Sequence, residues 1–152
     1  QTQTMTFNLM RRLLCLLIFV STFTTMAFAD TYTLYFTRHM EKTDKKTDPE
    51  LSIAGQQRAH MLAQILKNSD IEAIFSTNFK RTKQTGEALG KHLGLSVQSY
   101  PSKDFDGIIA SIKGLKKNAL IIGHSNTISE LVKAAGGTAK TLEEDELIIK
   151  KR

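Results

Sequence analysis

The sequence predicts an α/β fold, a three-layer sandwich of helices around a mainly parallel central sheet. Three observations predict it. Short apolar and β-branched runs alternate along the chain with stretches of helical period. One run, "ALIIG" at Ala119–Gly123, is apolar throughout, as a strand covered on both faces should be. The segments between are polar or glycine-bearing, with no repeat, low-complexity tract or linker to divide them.

The elements follow in order. "TYTLYFT", Thr31 to Thr37, predicts the first strand. "TDKKTDPELS" is a polar loop punctuated by Pro49. Ser52 is placed to cap a helix to about Asn68, whose apolar residues Ala59, Leu62, Ala63, Ile65 and Leu66 recur at helical spacing. "IEAIFS", Ile71 to Ser76, predicts the second strand, and "NFKRTKQTGEALGKHLG" a helix that stops at Gly94. "LSVQSY" predicts a third strand and Asp104 to about Gly114 a short helix. "ALIIG" is the fourth strand, "SNTISELVKAAGG" the last helix, and "ELIIKK" a final strand.

A chain of 152 residues suits one domain, and its 41% apolar and 24% charged composition is that of an ordinary globular protein. The first 29 residues read differently. Arg11 and Arg12 precede the apolar run "LLCLLIFV", and Ala27-Phe28-Ala29 is a small-x-small site, the pattern of a cleaved export signal. The apolar run is too short to span a bilayer comfortably. The expected organisation is therefore residues 1–29 as signal and upstream residues, and 30–152 as the exported domain, periplasmic or secreted, with no membrane anchor after cleavage. Cleavage removes Cys15, the only cysteine, so no disulfide or thiolate is expected in the mature chain. It also lowers the formal charge from +6 to about +4, because Arg11 and Arg12 leave without any acidic residue. That balance suits an anionic small substrate. The scattered lysines, without aromatic interleaving, exclude a nucleic-acid reading.

In an open α/β sheet the ligand lies outside the carboxyl ends of the strands. The first predicted strand is followed by Arg38 and His39, the second by "STNFKRT" with Arg81, and "ALIIG" by His124 and Ser125. Topology thus expects two arginines and two histidines on one rim. Two guanidiniums offer forked donors to a phosphate or carboxylate. A neutral imidazole can attack phosphorus while its other nitrogen's proton is held, and a second can donate to a phosphoryl oxygen.

The segments "TRHMEK", "DPELSIAGQQRA", "FSTNFKRTKQT" and "IIGHSNT", in this order, resemble the histidine phosphatase superfamily, branch 1, the phosphoglycerate-mutase-like fold. The resemblance implies that His39 is the nucleophile and becomes a phosphohistidine. It implies that Arg38, Arg81 and His124 bind the phosphoryl oxygens, with Ser125 adding a backbone donor. Ser76 and Asn78 are further candidates for the pocket wall. Two residues depart from the pattern. Met40 stands where a glycine or alanine is usual after the nucleophile. The loop that often carries a glutamate proton donor reads "YPSKDFDG", so Asp104 is the candidate acid.

The expected function is an exported phosphatase for phosphomonoesters, working without a metal ion or cofactor on a phosphorylated small molecule or envelope component. The alternative is a catalytically weak phosphate-binding module of the same fold. A mutase is disfavoured because the chain is too short for the insertions that close over a sugar phosphate. His60 and His92 fall within predicted helices and read as surface or packing residues. Glu41 is expected to form an exposed ion pair. Nothing in the sequence encodes an oligomeric state.

Overall fold

The structure, a computed structural model, describes residues 31–138 and the backbone of 147–151. Residues 1–30, on which the expected export signal, its cleavage site and Cys15 fall, and residues 139–146 and 152 lie outside the described residues.

The described chain runs β1 (Thr33–Arg38), α1 (Ile53–Leu66), β2 (Ala73–Ser76), α2 (Lys80–Leu93), β3 (Val97–Ser99), α3 (Phe105–Leu115), β4 (Ala119–Gly123), α4 (Ile128–Ala134) and β5 (Leu147–Lys151). The five strands form one sheet in the order β3-β2-β4-β1-β5. β1, β2, β3 and β4 are parallel, and β5 closes the β1 edge antiparallel. The expected order of elements and the mainly parallel sheet are both observed.

The continuous apolar run of β4 divides between two cores because successive side chains point to opposite faces. Ala119 and Ile121 join Leu34, Phe36, Phe75, Ile109, Ile112, Ile128 and Leu131, under α3 and α4. Leu120 and Ile122 join Ile74, Ala59, Leu62, Leu66 and Leu89, under α1 and α2. Helices therefore cover both faces, giving the three-layer sandwich.

Local chemistry sets the helix ends. Ser52 caps α1, its Oγ accepting from Gly55 N at 3.0 Å. Gly94 ends α2 with φ +69°, a left-handed conformation that costs glycine little. The start of α2 has no cap from its own N-cap residue, Phe79; Asp48 Oδ1 instead accepts from Lys80 N at 2.8 Å across 32 residues of sequence.

The pairing that matters for function is at the sheet centre. Arg38 of β1 lies in register with Gly123 of β4, and His39 N donates to Gly123 O at 3.0 Å. The two residues that follow these strands, His39 and His124, are thereby brought side by side. β2 borders β4 on its other edge and delivers the segment that carries Arg81.

Candidate active site

Beyond the carboxyl ends of β1, β2 and β4 lies an open cleft of about 570 Å³. Arg38, His39, Arg81, His124 and Ser125 all line it, together with Lys42, Lys103, Phe79 and Phe105. Residues from three strand ends and the start of α2 thus converge on one concave surface, as the topology requires.

His39 is buried, with 6% of its surface exposed. Its Nδ1 lies 2.7 Å from Met40 O. A carbonyl only accepts, so Nδ1 carries the proton and Nε2 keeps its lone pair. The backbone around it is held from the neighbouring helix. Met40 N donates to Thr85 Oγ1 at 3.0 Å, and that hydroxyl donates to Arg81 O at 2.8 Å. Thr85 thus ties the His39 loop to the turn of α2 that carries Arg81.

Helix α1 buttresses the same loop from below. Ser52 N donates to Glu41 O at 2.9 Å, and Leu51 N to Gln84 Oε1 at 2.8 Å. Gly55 lies so close that a Cβ there would meet Glu41 O at 2.1 Å. The Leu-Ser-x-x-Gly pattern therefore has a local physical basis: a buried leucine, a capping serine, and a glycine that admits a carbonyl. Glu41 forms an ion pair with Arg58 on α1.

His124 is half-buried, and its ring meets His39 edge to face at a centroid distance of 5.4 Å. Phe79 meets it edge-on at 5.2 Å, and the Arg81 guanidinium stacks 4.5 Å from the Phe79 ring centre. Arg81 Nη2 reaches His124 Nδ1 at 3.3 Å. The remaining buried donors of Arg81, Nε and Nη1, have no hydrogen-bond partner among the described residues. Buried donors of this kind favour an anion. The far wall is fixed by Tyr100, whose hydroxyl donates to Ile122 O at 2.8 Å and anchors the loop that presents Ser102, Lys103 and Phe105.

Burial and the nearby arginines act together on both imidazoles. Desolvation lowers the His39 pKa to about 4, with Arg38, Arg81 and Lys42 adding to the effect against the hydrogen bond to Met40. Desolvation, then Arg81, His39 and Arg38, lower His124 to about 4. Both rings are neutral at pH 7.

Not all of the residues singled out in the sequence reach the cleft. Asp104 does not line the cleft: it is exposed, and its Oδ1 accepts from Gly107 N at 3.0 Å as the N-cap of α3. A capping serine, threonine, asparagine or aspartate is the ordinary reason for such a residue before a helix. Met40 does not narrow the pocket, because its side chain is buried among Leu51, Leu62 and Leu66 in the core beneath. Ser76 is fully buried and turns its hydroxyl to Thr77 O, while Asn78 lines a neighbouring hollow. The residue between them, Thr77, is the one that contacts His124, at 2.9 Å from Nε2. The sequence signal for it was position alone, since a threonine at a strand end has many structural uses. His60 and His92 are both exposed, and His60 borders a separate groove between α1 and α2.

Comparison with known proteins agrees with this geometry. The fold and the paired histidines and arginines define a phosphoglycerate-mutase-like α/β domain. Residues 34–102, the stretch that carries Arg38, His39 and Arg81, match the family model of the histidine phosphatase superfamily (branch 1). Among solved structures, the protein histidine phosphatase SixA complexed with tungstate superposes with a TM-score of 0.59 at 23% identity, covering 66% of this chain and 74% of that one. A putative phosphohistidine phosphatase SixA from Agrobacterium tumefaciens gives 0.58 at 19% identity, over 70% of this chain and 77% of that one. The mycobacterial glucosyl-3-phosphoglycerate phosphatase in complex with VO3 gives 0.62 at 14% identity, over 78% and 90%. No curated protein matches by sequence.

Proposed function

We propose that this chain is an exported phosphatase that hydrolyses phosphomonoesters through a phosphohistidine at His39, without a metal ion. The observation that carries the reading is the His39 ring itself. Its proton is held at Nδ1 by Met40 O, so its free Nε2 is the nucleophile, in a cleft whose donors suit a phosphoryl group.

The chemistry follows from the placement. The Nε2 lone pair forms the N–P bond as the bond from phosphorus to the leaving oxygen breaks, and the leaving group departs with that electron pair. Arg38, Arg81 and His124 face the charge spread over the phosphoryl oxygens. Water then attacks phosphorus, the N–P bond breaks, and phosphate is released with Nε2 regenerated. A divalent metal is a poor match for this cleft, because guanidiniums and ammoniums repel it and no carboxylate among the described residues lines the walls.

The same absence of a lining carboxylate bears on the substrate. Among the described residues no carboxylic acid lines the cleft to supply the leaving group with a proton. The cleft therefore favours groups that leave readily, such as aryl phosphates and phosphoramidates. The shared fold with a protein histidine phosphatase supports that class. Export, read from the first 29 residues, would place the substrate in the cell envelope or outside it. The lack of a lining acid also favours the alternative, a phosphate-binding module with weak turnover.

Turnover of p-nitrophenyl phosphate in EDTA separates the two. Sustained release of nitrophenolate that stops with His39→Ala supports the phosphatase. Phosphate binding without turnover supports the module. Activity that EDTA abolishes and a divalent cation restores contradicts the metal-independent reading.

A further inference from the structure

His124 is the phosphoryl-binding histidine in the reading above, and what it can offer depends on which nitrogen holds its proton. The structure fixes this through its neighbours. Arginine has donors and no acceptor, so the Arg81 Nη2 contact at 3.3 Å makes His124 Nδ1 an acceptor. A neutral ring then carries its single proton at Nε2, 2.9 Å from Thr77 Oγ1. Thr77 accepts that proton's hydrogen bond, which leaves its own hydroxyl free to donate. Thr82 Oγ1 lies 2.9 Å away. Thr82 in turn has carbonyl acceptors, Phe79 O at 2.9 Å and Thr77 O at 3.0 Å. The chain runs one way only: His124, Thr77, Thr82, backbone. Thr77 and Thr82 are 1% and 0% exposed, so no bulk water stands in for either hydroxyl.

We propose that Thr77 is a positioning residue for His124: its hydroxyl, backed by Thr82, holds the neutral ring as the Nε2–H tautomer and keeps the Nδ1 lone pair on Arg81. The contact has a consequence for binding. Arg81 Nη2 is steered by the imidazole in the resting site, while Nε and Nη1 stay without protein partners. Thr77 thus sets the attitude of both the second histidine and the second arginine without lining the cleft itself. Hydrogen-bond partners that fix a histidine's tautomer in metal sites are typically worth about 10–100-fold in function. A loss of about tenfold is the scale expected here.

The test is the tautomer itself, read from the ring ¹⁵N shifts of His124 in the resting protein at pH 7. Wild type is expected to show a protonated Nε2 and a bare Nδ1. Thr77→Val, which keeps the shape and removes the hydroxyl, should lose that single tautomer and about tenfold in kcat/KM for an aryl phosphate. Thr77→Ser should restore both. A proton on Nδ1 in the wild type overturns the proposal, whether or not the valine variant folds. So does Thr77→Val with an unchanged tautomer, or Thr77→Ser as impaired as Thr77→Val. The proposal rests on the phosphatase reading only for the kinetic arm. The tautomer is read without substrate, so its failure is distinguishable from failure of the enzyme assignment.

Discussion

His39 and His124 meet edge to face, their ring centroids 5.4 Å apart at 67°, and they carry their protons on opposite nitrogens. His39 donates from Nδ1–H to Met40 O; His124 donates from Nε2–H to Thr77 Oγ1. The bare nitrogens differ in their surroundings: His124 Nδ1 holds Arg81, and His39 Nε2 is the atom proposed to attack. Adjacent parallel strands make this possible, since Arg38 and Gly123 lie in register immediately before the two histidines.

Both rings being held neutral makes stability depend on acid. Each imidazole has a folded-state pKa of about 4 against an ordinary value of 6.5. Between those values the unfolded chain binds more protons than the folded one, so stability rises with pH. The contribution is fully present above about pH 6.5 and is lost as pH falls toward about 4. Thermal melts of His39→Gln/His124→Gln beside the parent protein should show a shallower acid dependence in the variant. NMR titration should give midpoints for both rings well below 6.5, and midpoints at the ordinary value would contradict the account.

Arg81→Ala should weaken binding of tungstate or vanadate about 10- to 100-fold, the scale of a lost charge-assisted hydrogen bond. Lys80→Ala and Lys83→Ala should leave affinity nearly unchanged. Neither lysine lines the cleft, and Lys80 reaches Glu50 at 3.7 Å instead. Isothermal titration reads all three. Equal losses would mean a diffuse basic surface in place of a defined cradle.

Gly55→Ala should destabilise the fold by about 1–3 kcal/mol, the usual cost of forcing atoms into a filled space. The new Cβ would press on Glu41 O, two residues from His39. Urea unfolding should show a lower midpoint at constant slope, with a fall in activity as the His39 loop shifts. Unchanged stability would show that α1 moves away at little cost.

Most of the scaffold was legible from the sequence because its signals are local. The continuous apolar run of β4, the Ser52 cap and the Gly94 stop each need only a few neighbouring residues. The rim was legible because one topological rule gathers strand ends. Side-chain direction was less accessible. Met40 lies next to His39 yet points into the core, and Asp104 sits beside the cleft yet caps a helix. Asp48 capping α2 and Thr77 supporting His124 depend on contacts across 32 and 47 residues, which no local pattern announces.

The central claim is covalent chemistry at His39, and rapid-quench labelling with a ³²P-labelled phosphate ester tests it most directly. The account predicts an acid-labile, base-stable phosphoenzyme whose label maps to His39 and is abolished by His39→Ala. His124→Ala should retain some label and turn over about 10- to 100-fold more slowly, the scale of losing a partner that orients another group of the site, here Arg81. Label that persists in His39→Ala, or that maps to His60 or His92, would contradict it.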